Sequence, residues 1–386
     1  MVKYSSIFSQ ILSLVDRVEF HKIVNKHGGE KHSKGFSCWG QFVAMLFCQL
    51  AQAKSIREIC GGLACCVGKI KHLGIKAAPN KSTLSYANAN RSWKIYEDLF
   101  YLLLERCRSI APKKKFKFKN KLLSMDSSTI SLCLSMFDWA KFRQTKGAVK
   151  LHTLLDHDGY LPVYVYISNG KKHDVTVARH VPLAPGSIVA MDRGYNDYKL
   201  FSYFTDHEIF FVTRLKDNAV YKVVKSNPVP KNRNIISDEL ILFTGVDAQK
   251  KCPHVLRRVV VLDKEENREI ILLTNHLKFG ATTISAIYKD RWRIEIFFKT
   301  LKQNLKVKTF VGTSENALYI QIWTALIAML MIKYLQFLSK IAWSISNLVA
   351  LLRWNLFTYR NLWEWINDPF ETPPLEPGPV QQSLFT

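Results

Sequence analysis

Acidic residues are scarce in this 386-residue chain: 31 Asp and Glu stand against 55 Lys and Arg, leaving a formal charge of +24 at pH 7. An excess of that size repels itself in a compact fold unless a polyanion takes it up. Nucleic acid is therefore the leading partner and a membrane surface the second. Long apolar runs are missing too. The longest, Leu318 to Ile332, has 15 residues, contains Gln321 and stops at Lys333, short of the ~20 needed to span a bilayer. It reads as a buried core helix. The N-terminal segment MVKYSSIFSQILSLVDRVEF meets Asp16, Arg17 and Glu19 straight after a modest apolar stretch and has no small-residue cleavage site, which argues against a signal peptide. Eight cysteines without paired spacing fit a reduced cytosol. Only Cys60, Cys65 and Cys66 cluster, with His72 nearby; a structural zinc needs two close ligand pairs, so buried thiols on a helix are the simpler reading. Hydrophobic residues at 48% and charged residues at 22% supply a core and exclude wholesale disorder.

The texture along the chain suggests five segments. Residues 1–112 read as a helical, DNA-binding N-terminal domain. Gln41 to Leu50 is apolar at helical spacing, Ser55 to Glu58 forms a capping box, and Ser82 can cap another helix. Ser85, Asn88, Asn90 and Arg91 on the second of two short helices suit either a helix-turn-helix reader or the outer face of a plain bundle. The run KKKFKFKNK at 113–121 has six lysines in nine residues, as a solvated hinge or a track along phosphates. It opens the second segment, 113–215, which from Leu122 turns to strands: LLSMD, a hairpin centred on Asp158-Gly159, SIVAMD, a helix capped by Asp197, and EIFFVTRL. Such an order describes a mixed α/β layer. Residues 216–277 are a β-rich insertion, 278–345 return to helix, with one long helix from Thr283 to about Leu305, and 346–386 end in a helix and a polar, flexible tail.

Two aspartates stand out because each closes an apolar, strand-like run: Asp126 after LLSM and Asp192 after SIVAM. A carboxylate at the carboxyl end of a buried strand borders the crevice where ligands sit, although a lone Asp before Ser or near Gly also serves as a turn cap. With Ile294 at zero and about 100° per residue, Ile287, Phe298, Leu301 and Leu305 form one apolar stripe, and Arg291, Lys302, Glu295 and Tyr288 follow at about +60° to +120°. That file brings Glu295 to the lip of the core, where it can meet carboxylates from a sheet. Three carboxylates in a basic protein call for cations. Hard oxygen ligands plus substrate phosphate are the usual setting for Mg²⁺, and a pair of ions supports in-line phosphodiester cleavage or transfer. Arg291 and Lys302 would hold neighbouring phosphates and Tyr288 would donate to one.

The spacing Tyr288-x2-Arg291-x3-Glu295-x6-Lys302 resembles the signature of a large group of bacterial insertion-sequence transposases of the DDE type. Asp126 in SMDSS resembles the first aspartate of that family and Asp192 in AMDRGY the second. Gly170, His173 and Asp174 in NGKKHDV, and FVTRLK at 211–216, are similar to its intervening segments. The likeness runs from roughly 120 to 335. It implies an α/β, RNase H-like mixed sheet flanked by helices, interrupted by a β-rich insertion and preceded by a helical domain. It also implies Asp126, Asp192 and Glu295 as catalytic, metal-holding acids, two Mg²⁺ ions with Mn²⁺ able to stand in, and Tyr288, Arg291 and Lys302 on DNA phosphates. The implied partners are double-stranded DNA, as transposon terminal inverted repeats and target, and a second copy of the chain on paired ends; the implied setting is the cytoplasmic nucleoid, with no membrane. Trp292 either packs against a neighbour, the preferred reading, or stacks on an unpaired base. His173 and Asp174 either tune the site or cap the next helix, the cap being the preferred reading. A host nuclease on the same scaffold and a non-catalytic DNA-binding relative are the competing readings.

Overall fold

The computed structural model describes the chain except residues 1–4, 32, 34, 67–68, 134–136, 138, 140, 144–145, 232, 308–309 and 376–386, and except the side chains of 141–143 and 146. It divides into two compact units. One comprises Met1–Ala111, Ser135–Trp139 and Lys299–Thr386; the other comprises Pro112–Leu134 and Ala140–Phe298.

The first unit is helical. It opens with α1 (Ile7–Leu12), α2 (Arg17–Lys26), α3 (Cys38–Ala51), α4 (Ile56–Ala64), α5 (Lys81–Asn90) and α6 (Lys94–Ile110). Ser55 caps α4 by accepting from the Glu58 N–H at 3.1 Å, and Glu58 reaches back to the Lys54 N–H at 2.8 Å. Helix α5 begins one residue before Ser82, behind Asn80, with no side-chain cap. A helix-turn-helix reading fails here. A single-turn helix and its flanking loops separate α4 from α5, whereas the motif needs a turn of about 3–4 residues. Asn88 is buried and accepts from Gln41, and Arg91 donates to Ser33 and Phe36. Asn88 thus serves the bundle's interior, and Arg91, half-buried at the end of α5, is tied to the loop before α3. The cysteine cluster is not a buried face either: Cys60 and Cys66 are half-buried and Cys65 is exposed.

The second unit is built on a ten-stranded sheet. Its elements are β1 (Leu122–Leu132), β2 (Lys141–Arg143), β3 (Lys146–Asp156), β4 (Leu161–Asn169), α7 (Asp174–Ala178), β5 (Ile188–Met191), α8 (Tyr198–Asp206), β6 (Phe210–Arg214), β7 (Tyr221–Ser226), β8 (Ile235–Phe243), α9 (Val246–Lys251), β9 (Leu256–Asp263), β10 (Arg268–Thr274), α10 (Ala281–Asp290) and the start of α11 (Arg293–Asn304). The β3–β4 hairpin turns through Gly159 (φ 67°) and Tyr160 (φ 51°), the doubly left-handed backbone of a tight hairpin. β4, β3 and β1 are antiparallel neighbours, and β5 and β6 then continue parallel to β1. This is the strand order of an RNase H-like sheet. The β-rich insertion does not stand apart from it. β10 pairs with β6, and β9, β8 and β7 extend the sheet in turn, covering an edge that β6 would otherwise leave unpaired.

Strand alternation sorts the two faces. Leu123, Met125, Val189, Met191 and Phe211 pack with α7 and α8, whereas Leu122, Ile188, Ala190 and Val212 pack with Ile284 and Ile287 of α10. The lysine-rich run is fixed rather than a free hinge. Phe116 and Phe118 pack on the α10 face and Phe118 meets Phe279, while Lys115 pairs with Asp290 and Lys121 with Asp156 and Asp158. Lys117 and Lys119 remain exposed.

The last helices, α12 (Glu315–Leu338), α13 (Ile345–Asn355) and α14 (Leu362–Trp365), group with the N-terminal helices. The apolar run is part of a 24-residue helix, long and apolar enough to cross a membrane, yet 83% of its most apolar window is buried inside the protein. It packs on α3, α5, α6 and α13 as the core of the helical unit. For that reason the compact units do not follow the divisions at 277 and 345 that the sequence texture suggests. In the tail, Thr372 is buried and the Leu375 N–H reaches the Tyr359 carbonyl, so the described part is anchored at these two points; 376–386 lie outside the described residues.

Candidate active site

Asp126 is not at the end of its strand, because β1 runs on to Leu132. What ends there is its parallel neighbour: the β1–β5 pairing closes at Met125 opposite Met191. Asp126 and Asp192 are the next residue on each chain. Both continue the alternation of Leu122 and Ile188, which directs them to the α10 side. The gap opened where β5 stops gives both carboxylates room on one face.

Local bonds hold each acid. Asp126 accepts the Ser127 N–H at 2.7 Å, and Asp192 accepts the Gly194 N–H at 2.8 Å across a single 3₁₀ turn, so the turn-capping role and the site role coexist. A Cβ on Gly194 would sit 3.0 Å from an Asp192 oxygen, a tight contact that the carboxylate would have to shift to relieve. Thr213 of β6 donates to the Asp192 carbonyl at 2.9 Å. Arg193 turns away to Asp217 at 2.8 Å and leaves Asp192 unneutralised. Burial pushes the Asp126 carboxyl up to about 7; the charges of Asp192 and Glu295 add to the shift, while the Ser127 N–H and Arg291 oppose it. Tyr195 is buried and its phenol is raised well above its ordinary range by burial and by Asp126, Asp174 and Asp192.

The expected single helix from Thr283 to Leu305 is two helices. α10 ends at Asp290 and α11 starts at Arg293. Between them the amides of Trp292, Ile294 and Glu295 bond three residues back rather than four, a tightened turn. The apolar stripe survives the break: Ile287, Ile294, Phe298, Leu301 and Leu305 are all buried. Tyr288 and Arg291 come from the end of α10, and Glu295 from the first turn of α11. Arg291 Nη2 donates to Glu295 at 2.8 Å, and the guanidinium lies 5.5 Å from the Tyr288 ring centre. Arg291 is buried, and among the described residues its Nε and Nη1 have no hydrogen-bond partner. Two such N–H groups left bare beside a carboxylate cluster fit an incoming anion. Lys302 is two turns further along α11, in the part of the chain that groups with the helical unit. Trp292, expected to pack, is 58% exposed at the break.

The His173-Asp174 pair does not cap as expected. His173 occupies the position before α7 without a side-chain bond. Asp174 instead reaches Lys150 and His152, each at 3.3 Å, and Ser127 beside Asp126. Burial raises its carboxyl, but His152, Ser127 and Lys150 outweigh that and hold it at about 2. Sequence reasoning also missed a buried set, Ser124, His157 and Asp290, because nothing in spacing links a hairpin turn to the end of a distant helix.

The donor chemistry is that of a hard divalent ion: carboxylate oxygens, no sulfur, and an aspartate raised first by burial and then by the charges of Asp192 and Glu295. Among the described residues, no three His, Cys, Asp or Glu side chains are close enough to cage a metal ion unaided. Asp126 and Asp192 leave adjacent strands toward one face, and one Glu295 oxygen is taken by Arg291.

Comparison with known proteins decides the family. The Transposase DDE domain matches residues 117–331, more than half of the chain. The chain belongs to the DDE transposase family. Over 337 residues, 87% of this chain and 86% of the relative, it is 28% identical to the "Probable transposase for insertion sequence element IS5377" of Geobacillus stearothermophilus. Over 304 residues, 78% and 83% respectively, it is 29% identical to "Putative transposase y4zB" of Sinorhizobium fredii. Residues 3–76 of this transposase match a domain of unknown function, DUF4372. Among solved structures, a piggyBac transposase synaptic complex with hairpin DNA aligns at TM-score 0.43 and 12% identity, over 96% of this chain and 81% of that one. A DDE transposase is a DNA-acting enzyme of a family that uses divalent metal ions; the host-nuclease and non-catalytic readings are set aside.

Proposed function

We propose that Asp126, Asp192 and Glu295 are the catalytic acids with which this transposase cuts and joins the ends of an insertion sequence. The reading rests on one observation: two aspartates leave adjacent parallel strands on the same face, within the field of Glu295 and beside a buried arginine with two free N–H groups. These acids would hold Mg²⁺, as two ions, or Mn²⁺, which when bound activates the attacking oxygen and stabilises the leaving one. Arg291 places its free N–H groups on a phosphate, and Tyr288 and Lys302 take neighbouring ones. The substrates are the element's terminal inverted repeats and a target duplex, taken up by a homodimer on paired ends within the nucleoid. The helical N-terminal domain serves end recognition.

The test uses the full-length protein, Mg²⁺ and DNA carrying the element's own terminal repeats. Cleavage followed by joined strand-transfer products is expected, with Asp126→Asn, Asp192→Asn and Glu295→Gln each lowering cleavage by more than about a hundredfold, beyond the loss usual for a ligand's supporting partner. Wild-type cleavage that persists in any of the three variants removes that residue from the site, and cleavage without joining leaves a nuclease.

A further inference from the structure

Ser124, His157 and Asp290 form a buried chain that none of the roles above uses. His157 Nε2 is 2.7 Å from Ser124 Oγ and its Nδ1 is 2.7 Å from Asp290 Oδ2. All three residues are at most 4% exposed. The residue types match a hydrolytic triad, but a serine with no solvent exposure cannot meet a substrate, so the nucleophile reading fails. Position says more. Ser124 precedes Asp126 by two residues on the same face of β1. Asp290 is the last residue of α10, next to Arg291 and one turn before Glu295. His157 follows β3, and its own N–H donates to the Leu122 carbonyl of β1 at 3.1 Å, so backbone and side chain both tie it to the strand that carries Asp126.

Asp290 is fully engaged. Lys115 reaches its other oxygen at 2.6 Å, and the Tyr160 hydroxyl donates to Oδ2 at 3.2 Å. Burial raises this carboxyl, but the bonds from His157 and Lys115 dominate and hold it at about 2. A charged carboxylate with three donors, buried at a helix end, is a fixed point from which the following turn departs. With Nδ1–H donated to Asp290, Nε2 accepts the Ser124 hydroxyl, so one imidazole joins strand and helix.

We propose that His157 is a positioning residue: by clasping Ser124 and Asp290 it fixes the break between α10 and α11 against β1 and so sets where Arg291 and Glu295 stand relative to Asp126. The proposal rests on the reading of Asp126, Asp192 and Glu295 as cation-holding acids. Residues that orient ligands from behind commonly change metal affinity about 10–100-fold when removed.

The experiment measures hydrogen exchange over residues 290–298 in the metal-free, full-length protein, and Mn²⁺ binding by electron paramagnetic resonance. The variants are His157→Ala, Ser124→Ala and His157→Asn, whose amide can still donate to Asp290. Phe204→Leu, in the core on the opposite face of the sheet, controls for general loss of stability. His157→Ala and Ser124→Ala are expected to speed exchange in this segment and weaken Mn²⁺ affinity by about tenfold. His157→Asn, which keeps the bond to Asp290 but not the one to Ser124, should match Ser124→Ala rather than the wild type, and Phe204→Leu should lower Tm alone. Exchange no faster than in Phe204→Leu at equal loss of Tm overturns the proposal, as does unchanged Mn²⁺ affinity in variants of a wild type that binds the ion. Should His157→Ala not fold, Ser124→Ala, which removes one hydroxyl, decides by the same criteria. A wild type that binds no Mn²⁺ defeats the reading of the acids, and the exchange comparison then decides the clasp alone.

Discussion

Asp126 and Asp192 leave neighbouring parallel strands one residue beyond the Met125–Met191 pair. β5 has only four residues, all buried, and it stops where β1 continues. The site therefore exists because two strands of unequal length run side by side. Carboxylates fixed in this way repel each other and whatever acid approaches from α11, and a proton or a bound cation relieves them.

Burial of Asp126, with the neighbouring charges of Asp192 and Glu295 added, makes stability depend on pH and on divalent ions together. Asp126 titrates at about 7 in the folded chain, against about 4 for an unperturbed aspartate. The folded state thus holds the proton more tightly than the unfolded chain. Its contribution is intact below pH 4 and is lost as pH rises through 7. In metal-free buffer the Tm of the wild type should fall relative to Asp126→Asn between pH 4 and 8. Adding Mg²⁺ at pH 8 should restore the wild type and leave Asp126→Asn unmoved; parallel Tm curves for the two proteins would contradict the assignment.

Arg291 carries two unpartnered N–H groups beside Glu295. If a DNA phosphate takes them, removing the charge releases about one fewer counterion on binding, and the slope of log K against log salt should drop by about 0.9. Arg291→Gln should show this in anisotropy titrations at several KCl concentrations. Arg291→Lys keeps the charge and the slope but loses the planar fork, so its cleavage rate should fall while its salt dependence does not.

Much of the site was legible in the sequence because its signals are local. Asp126 and Asp192 each follow an apolar run, and the stripe from Ile287 to Leu305 is buried throughout. The break at Arg291-Trp292 was not legible, since helical spacing of the apolar residues continues straight through it. Nor was the union of insertion and core in one sheet, because the pairing of β6 with β10 joins segments far apart in the chain. Ser124 and His157 are separated by 33 positions and His157 and Asp290 by 133, and no periodicity reports such contacts. Asn88 misled for the opposite reason: a polar residue on a helix can face inward when a buried partner satisfies it.

The inserted strands depend on one buried ion pair. Arg257 of β9 grips Asp238 of β8 with two bonds, Nε at 2.8 Å and Nη2 at 2.6 Å, and also donates to the Leu277 and Phe279 carbonyls that lead into α10. Both side chains are nearly inaccessible, at 6% and 4% exposure. Removing one partner strands the other charge in the interior, which costs about 3–5 kcal/mol. Asp238→Ala should lose stability in that range in urea denaturation, whereas Lys251→Ala, which breaks the exposed pair with Asp247, should fall within about 0.5 kcal/mol of wild type.

Trp292 offers the sharpest separation of stability from function. A large indole 58% exposed contributes little core burial, so Trp292→Ala should leave Tm almost unchanged. It sits in the tight turn between Arg291 and the helix that carries Glu295, so a DNA strand whose phosphate meets Arg291 would pass beside it. Stacking of a base on an aromatic ring is worth about 1–3 kcal/mol, so losing it should slow cleavage of terminal-repeat DNA by roughly tenfold or more, with Trp292→Phe recovering part of the rate. If the alanine variant instead loses stability and cleaves at the wild-type rate per folded molecule, the ring is a packing element and the base-stacking role is withdrawn.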